Sequence, residues 1–495
     1  MNLPVEIHSV ENVRRIDQAA INDAGISGYA LMTRAAQAAL DVMLRRFPKT
    51  KRWQIVCGPG NNGGDGYVLA RLAGQKGIGV SVLAASSPES LSGDARSACL
   101  DFAAEGGAVV EWSGALDPDA DLLVDALLGS GLQRELEGVF ADIVNAINAH
   151  AAPVVALDIP SGLHGDSGAI MGKAVSADLT VTFVALKPGL LLRAGKECVG
   201  ELAFAGLGIP ADCLRNVAPV LRRMEPSMLA KALPPRASDS HKGDFGHVLL
   251  IGGHPGMPGA IRLAGMAALR TGAGRVTVAT HPLNVAPIAA ACPELMFHAV
   301  DNADDLVEVW HRADVIGIGP GLGTGDWGRS LLDSLLDTAL CANLPTVIDA
   351  DALTLLAGIE SRQDNRILTP HPGEAARLLS TDTGEVQRDR PKAATELQRR
   401  YGGTVVLKGA GSLVSCGSGI CWICTAGNPG MASPGMGDVL TGIIAALLAQ
   451  RLPQEMAAVC GVLIHAMAGD AAAVRGQRGM LASDLLPELR TWVNP

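Results

Sequence analysis

Two α/β domains, each built on a mostly parallel sheet, are the fold class that this sequence predicts. Three observations carry the expectation. Short apolar runs alternate with helical stretches along both halves of the chain, the pattern of strand–helix–strand units. Many runs end in polar or glycine-rich turns, and ligands of parallel sheets bind beyond the carboxyl ends of the strands. The alternation breaks at residues 222–246, where Arg222-Arg-Met-Glu-Pro226, Pro234-Pro235 and Ser238-Asp-Ser240 interrupt it, which puts the domain boundary near residue 225.

Composition agrees. A length of 495 residues fits two or three domains. With 48% hydrophobic and 18% charged residues, large cores can form. A formal charge of −10 argues against a general phosphate-backbone binder, and 3% aromatic residues against a stacking surface for single strands. Ten cysteines in so long a chain do not make a disulfide framework. Cys421-Trp-Ile-Cys424 has no second pair at zinc spacing, so ordinary strand residues are expected there. The first residues include Glu6 and Glu11 and no apolar core segment, unlike a signal peptide. No apolar run is expected to reach the length of a membrane span, Val439–Ala449 being too short. The expectation is a cytoplasmic protein with no nucleic-acid or membrane partner.

In order, residues 9–46 read as two helices, the first capped by Ser9 and ending near Gly25, the second, Tyr29–Phe47, stopped by Pro48. Strand Trp53–Cys57 feeds the loop Gly58–Gly66, and a helix is expected from Tyr67. Strands Val80–Ala84, Val109–Trp112, Leu122–Asp125, Val154–Leu157 and Leu179–Phe183 follow. The second half offers strands His247–Ile251, Arg275–Ala279, Val315–Ile318, Thr346–Asp349, Arg366–Leu368, Thr404–Lys408 and Gly419–Thr425. Its helices are Gly259–Thr271, Val439–Leu448, Gln454–Val474 and Ser483–Trp492.

The chemistry concentrates in the turns. Gly427–Asp438 holds four glycines and runs directly into an apolar helix. Bare backbone there can approach a ligand, and the free N–H groups of the helix end suit phosphate. Asp438 is then either a helix-dipole partner or a base facing that ligand. Gly317-Ile-Gly-Pro-Gly321-Leu-Gly323, Asp349-Ala-Asp351, His371-Pro-Gly-Glu374 and Lys408-Gly-Ala-Gly-Ser412 end other strands of this half. Glycine cradles, a lysine and a strand-end carboxylate make a phosphoryl-transfer constellation.

In the first half, Gly58–Gly63 fits GxGxxG, yet Val80–Ala84 runs into Ala85-Ser86-Ser87 with no acidic residue to hold a ribose, so a redox dinucleotide site loses support. No GxxxxGK[ST] occurs. Asn61-Asn62-Gly63-Gly64-Asp65-Gly66 instead combines amides and a carboxylate that can bind a hard cation and a ribose or amide. Asn62, Asp125 and Ser161 put three oxygen ligands at strand ends; one such Asp is usually a helix cap, and three together favour a site.

At these residues the chain resembles the bifunctional NAD(P)H-hydrate repair enzymes, which join an NAD(P)H-hydrate epimerase to an ADP-dependent (S)-NAD(P)H-hydrate dehydratase. Gly58–Gly66, Asp125–Gly131 and Asp158–Gly162 look like the epimerase half. Gly252-Gly253, Gly259–Arg262, Gly317–Gly323, His371–Glu374, Lys408–Ser412 and Gly427–Gly442 look like the dehydratase half. The resemblance implies a Rossmann-like three-layer sandwich over residues 1–225 and a ribokinase-like domain over 226–495. It implies potassium at Asn62, Asp125 and Ser161. It implies a hydrated nicotinamide nucleotide at Asn61, Asn62, Gly63, Gly64 and Asp65, at Gly129, Ser130, Gly131, Leu132, Gln133, Arg134 and Glu135, and at Asp158. In the second domain Ala260, Gly323, His371 and Asp438 would line the substrate site, and Lys408, Gly409, Ala410, Gly411, Ser412 and Gly437 would bind the adenine nucleotide.

The reaction implied is metabolite repair. ADP phosphorylates the hydroxyl of the hydrate, Asp438 takes its proton, and phosphate then leaves, restoring the reduced cofactor; magnesium on the ADP phosphates is expected. The epimerase interconverts the R and S hydrates, with Asp158, or else Lys187, as its acid–base group. Partners are hydrated NADH or NADPH and ADP, and a homo-oligomer is expected. Two positions depart from the family pattern: Met32-Thr33-Arg34-Ala35-Ala36 replaces Met-Glu-x-Ala-Gly, and Pro434 stands where a small residue is common. Two readings stay open beside this one: a ribokinase-type small-molecule kinase with an unrelated N-terminal domain, and a first domain that only binds.

Overall fold

The computed structural model describes residues 3–337, 343–417 and 419–495. Backbone contacts divide the chain after Leu221. In the first unit, seven runs rich in Val, Leu and Ile pair as one parallel sheet, because most are apolar on both faces and need cover on both. Its order is Val109–Glu111, Gly79–Ala84, Arg52–Cys57, Leu122–Ala126, Val154–Leu157, Leu179–Phe183, Glu201–Ala205. The register sets Ile55 between Val82 and Val124, and Val124 beside Val155.

One face packs under helices Val10–Asn22, Gly28–Arg46, Asn61–Gln75 and Gly93–Ala104, the other under Gly138–Ala149, so the unit has three layers. Ser9 and Ser27 open the first two helices, each side chain accepting an N–H, from Asn12 and Ala30, at 3.2 Å. Such caps contribute about 1 kcal/mol each.

Two expectations for this half change. The third helix begins at Asn61, not Tyr67, with Gly64 N–H bonding Gly60 O at 3.1 Å. Glycine costs a helix about 1 kcal/mol per residue, but packing overrides propensity here: a Cβ on Gly63 would lie 2.0 Å from Gly58 O. The stretch read as a loop is therefore a helix N-terminus aimed at the strand ends. Strand Glu201–Ala205 was not expected; it is a half-buried edge strand whose pattern is too short to stand out.

In the second unit nine strands share a sheet in the order Cys421–Ile423, Leu413–Ser415, Thr404–Leu407, Arg366–Leu368, Thr346–Ile348, Val315–Ile318, His247–Ile251, Arg275–Thr280, Met296–Ala299. Pairing is parallel from Thr404–Leu407 to Met296–Ala299 and antiparallel at the other end. Met296–Ala299 and Leu413–Ser415 escaped the sequence reading, the first an exposed edge, the second three residues long.

Helix Met436–Ala449 starts earlier than expected, with Gly435 as its N-cap at φ +89, a conformation free of strain only without a Cβ. Its flank against Pro258–Thr271 and Gln454–Ala472 belongs to the main core. The expectation about membrane-span length is corrected: helix Gln454–Arg475 has 22 residues and a mean hydropathy of 1.7, long and apolar enough to cross a membrane. That composition has a tertiary cause, since 61% of the apolar window is buried inside the protein.

Candidate active sites

In the first unit, the loops after four neighbouring strands and the two N-terminal helices enclose a cavity of about 680 Å³. Asn61, Asn62, Asp65, Gly129, Ser130, Gly131, Leu132, Gln133, Arg134 and Asp158 all reach its wall. Gly63 and Gly64 do not; they sit behind it, where Met32 covers Gly64 closely. Glu135 is exposed and also off the wall. Of the departing N-terminal segment, Met32 and Ala35 line the cavity, while Arg34 turns to the Leu207 carbonyl at 3.0 Å.

Asp158 follows its strand with φ +63, a left-handed conformation unusual for a residue with a Cβ and common at functional sites. Its carboxylate forms an ion pair with Lys187, itself only 1% exposed, and accepts the Phe183 N–H at 3.2 Å. The Lys187 ammonium also donates to Thr182 Oγ1 at 3.1 Å and to the Phe183 carbonyl at 3.0 Å. Two more carboxyls face this pair. Burial pushes Asp65 well up, with the charges of Asp158 and Asp17 adding to the effect. Burial likewise pushes Asp17 up to about 6, against the pull of Lys187. Three carboxyls around one ammonium, two of them drawn toward the neutral form, can both take and give a proton near neutral pH.

Asp17 was missed in the sequence, and its signal was there. Helix Val10–Asn22 buries Val10, Val13, Ile16 and Ala20, and Asp17 falls on that apolar stripe.

Asn62, Asp125 and Ser161 converge beside the cavity. Ser161 donates from Oγ to Asp125 Oδ1 at 2.6 Å and from N–H to Oδ2 at 2.7 Å. Asn62 Nδ2 donates to the Leu128 carbonyl at 3.0 Å, and Ser161 Oγ accepts the Leu128 N–H at 2.8 Å. Asn62 Oδ1 is buried without a hydrogen-bond partner, and burial pushes Asp125 up to about 6 despite its bonds from Ser161 and Leu127. An orphaned amide oxygen beside a buried carboxyl fits a cation with oxygen ligands.

The second site lies at the carboxyl ends of the central strands of the other unit. Asp349 is 1% exposed and receives Lys408 Nζ at 2.7 Å and Thr441 Oγ1 at 2.7 Å. Burial alone would raise its pKa, but Lys408 and these hydrogen bonds hold it below the usual range. Lys408 reaches to 3.1 Å from where a Gly437 Cβ would stand, so the ammonium underlies the helix entrance. Asp438 is the third residue of helix Met436–Ala449, and burial together with Asp349 pushes it up to about 6 against Lys408.

His371 caps helix Pro372–Leu379, its Nδ1 accepting the Gly373 and Glu374 N–H groups at 2.9 and 3.3 Å. Burial, then Lys408, lowers its pKa, so the ring is neutral and these bonds assign its proton to Nε2. Glu374 is pushed up to about 7 by burial. Gly323 donates its N–H to Asp351 Oδ2 at 2.8 Å, and Ala260 packs against Gly321. Ala260, Gly323, His371, Asp438, Lys408 and Gly437 are thus linked through neighbouring contacts around one set of strand ends. Residues 408–412 form the turn of the antiparallel hairpin Thr404–Leu407 to Leu413–Ser415. Among the described residues no group of three His, Cys, Asp or Glu side chains could hold a metal.

These features define a class: a two-unit α/β enzyme with a proton-handling cavity in one unit and, in the other, a ribokinase-like site where a helix end, a lysine and a raised carboxyl meet. The dehydratase family model described as NAD(P)H-hydrate dehydratase matches residues 248–491, and a model described as YjeF-related protein N-terminus matches residues 28–189. The bifunctional NAD(P)H-hydrate repair enzyme Nnr of Coxiella burnetii is 47% identical over 490 residues, 99% of each chain. That of Escherichia coli is 44% identical over 100% of this chain and 95% of the relative. A ribokinase-like superfamily protein of Enterococcus faecalis shares 33% identity with a TM-score of 0.52, covering 55% of this chain and 95% of its own. The chain belongs to the bifunctional NAD(P)H-hydrate repair enzymes, with isomerase and lyase activities.

Proposed function

We propose that residues 1–225 epimerise the R and S hydrates of NADH and NADPH, and that residues 226–495 dehydrate the S hydrate with ADP as co-substrate. The observation that carries this reading is the meeting of Asp438, Gly437 and the Lys408–Asp349 pair at one helix entrance. The hydrate carries a hydroxyl on the carbon beside the ring nitrogen, and hydroxide leaves poorly near neutral pH. Asp438 takes the hydroxyl proton as the oxygen attacks the β-phosphorus of ADP, giving AMP and a phosphorylated hydrate. The ring nitrogen's lone pair then expels phosphate, and loss of a ring proton restores the reduced nicotinamide. The N–H groups at the start of helix Met436–Ala449 and the Lys408 ammonium stabilise charge on the phosphoryl oxygens. His371, with its proton on Nε2, and the Gly323 turn orient the substrate; Lys408–Ser412 hold the nucleotide. Magnesium would be held chiefly by the ADP phosphates and water, where it would supply further counter-charge to the phosphoryl oxygens.

In the first unit, Asp17 or Asp65 protonates the substrate hydroxyl as the ring nitrogen's lone pair expels it as water, and Asp158, held by Lys187, takes a proton from the water that re-adds to the opposite face of the ring cation. Potassium would be held by Asn62, Asp125 and Ser161, where it supplies counter-charge to Asp125 and pins the turn that carries Leu128. Nine cysteines among the described residues are all free thiols, which supports a reducing compartment such as the cytoplasm.

Incubation of the full chain with mixed NADH hydrates and ADP tests the reading. Return of reduced-nicotinamide absorbance with AMP and phosphate supports it. A phosphorylated product that accumulates without that absorbance would instead identify a kinase.

A further inference from the structure

Arg390 opens helix Arg390–Tyr401 and is 4% exposed. Among the described residues its guanidinium has no carboxylate partner. Nη2 donates to the carbonyls of Leu407, Lys408 and Gly411 at 3.2, 3.3 and 3.2 Å, and Nη1 donates to Gln387 Oε1 at 3.1 Å. Nε is buried without an acceptor. Burying a guanidinium without counter-charge is costly, so its position calls for a compensating role.

All three carbonyls belong to one stretch of backbone, the end of strand Thr404–Leu407 and the turn that follows. The C=O and N–H of neighbouring residues share a planar peptide unit and point opposite ways. Drawing the Gly411 carbonyl onto Arg390 therefore turns the Ser412 N–H to the other side of the turn. Holding the Leu407 and Lys408 carbonyls fixes the backbone from which Lys408 reaches Asp349 at 2.7 Å. Lys408 already faces Asp349, Glu374 and Asp438, so its charge is largely spoken for. Arg390 is a cation beneath the same turn with no such neighbour among the described residues.

We propose that Arg390 is a positioning residue for a nucleoside diphosphate: it gathers the carbonyls of Leu407, Lys408 and Gly411 so that the turn presents the Lys408 ammonium and the Ser412 N–H to the ligand, whose anionic phosphates compensate the buried guanidinium. The inference rests on the assignment of Lys408–Ser412 to the ADP site.

The test is calorimetric titration of the full chain with ADP at low and high salt, with thermal midpoints measured without ADP. Arg390→Met fills the volume and removes fork and charge. It should raise the ADP dissociation constant about tenfold or more, flatten its salt dependence, and leave the midpoint unchanged or higher. Arg390→Lys keeps the charge without the fork and should fall between, with a salt dependence like that of the parent protein. Arg366 is the control, another buried arginine, bonded to Ser361 Oγ at 2.8 Å, at the amino end of its strand. Arg366→Met should leave ADP binding unchanged.

An unaltered dissociation constant in Arg390→Met overturns the proposal, as does an equal loss in Arg366→Met. If Arg390→Met does not fold, parent-like ADP binding by Arg390→Lys overturns it. Failure of the unsubstituted protein to bind ADP rejects the nucleotide site itself, and the inference with it.

Discussion

Replacing Asp438 by Asn isolates the proposed base of the dehydratase. The substitution keeps the volume and the hydrogen-bonding capacity at the third position of helix Met436–Ala449 and removes the carboxylate. Losing a positioned general base costs about 10²–10⁴ in rate. ADP should still bind, because Lys408–Ser412 and the helix N–H groups remain. Stability should barely move, since a helix-dipole contribution of about 0.3–1 kcal/mol is lost while a partly buried charge is removed. The structure also sets the pH profile. Asp438 is raised to about 6 by burial and Asp349, and a base works in its ionised form. The rate is therefore present above that value and lost as pH falls through it. From pH 7 to pH 5 the ionised share falls from about nine in ten to about one in ten, a tenfold loss of rate. The assay follows reduced-nicotinamide absorbance from the S hydrate with saturating ADP. Dehydration by Asp438→Asn at near the parent rate, or a profile flat from pH 5 to 7, refutes the role. Asp438 would then be a helix-dipole partner only.

Epimerisation should fall in potassium-free buffer and in Asp125→Ala, measured by chiral separation of the hydrates; full activity without potassium rejects the cation at Asn62, Asp125 and Ser161. Lys187→Met leaves Asp158 without its counter-ion inside the cavity, and should destabilise the first unit by about 3–5 kcal/mol in denaturant titration; an unchanged midpoint would show the pair to be solvated. Asp17→Asn should slow epimerisation and remove an inflection near pH 6, where the parent loses the neutral acid as pH rises, with dehydration untouched. Saturating ADP should slow hydrogen exchange across residues 404–438 and not across 52–187, because a ligand of the native state stabilises the unit that binds it; equal protection of both contradicts the placement of the nucleotide.

Apolar alternation was enough to reveal two α/β sheets, because strands buried on both faces must be written in Val, Ile and Leu. The glycine-rich turns were legible for the same local reason: a helix entrance such as Gly435, with its positive φ, admits few other residues. The order of those motifs was enough to place the chain in its family. Register and assembly were not legible. That Asn61–Gly66 is helix and not loop depends on Gly63 closing on Gly58, a contact no local propensity encodes. The membrane-length helix Gln454–Arg475 reads as apolar because 61% of its apolar window is buried in the core, which only packing reveals. Asp17, Asp65, Asp158 and Lys187 stand far apart in sequence, and only the fold brings three carboxyls to one ammonium. Charge states belong to that same level. A carboxyl's pKa is set by burial and neighbouring charge, so Asp438 and Asp349, alike as letters, are driven in opposite directions by the tertiary structure.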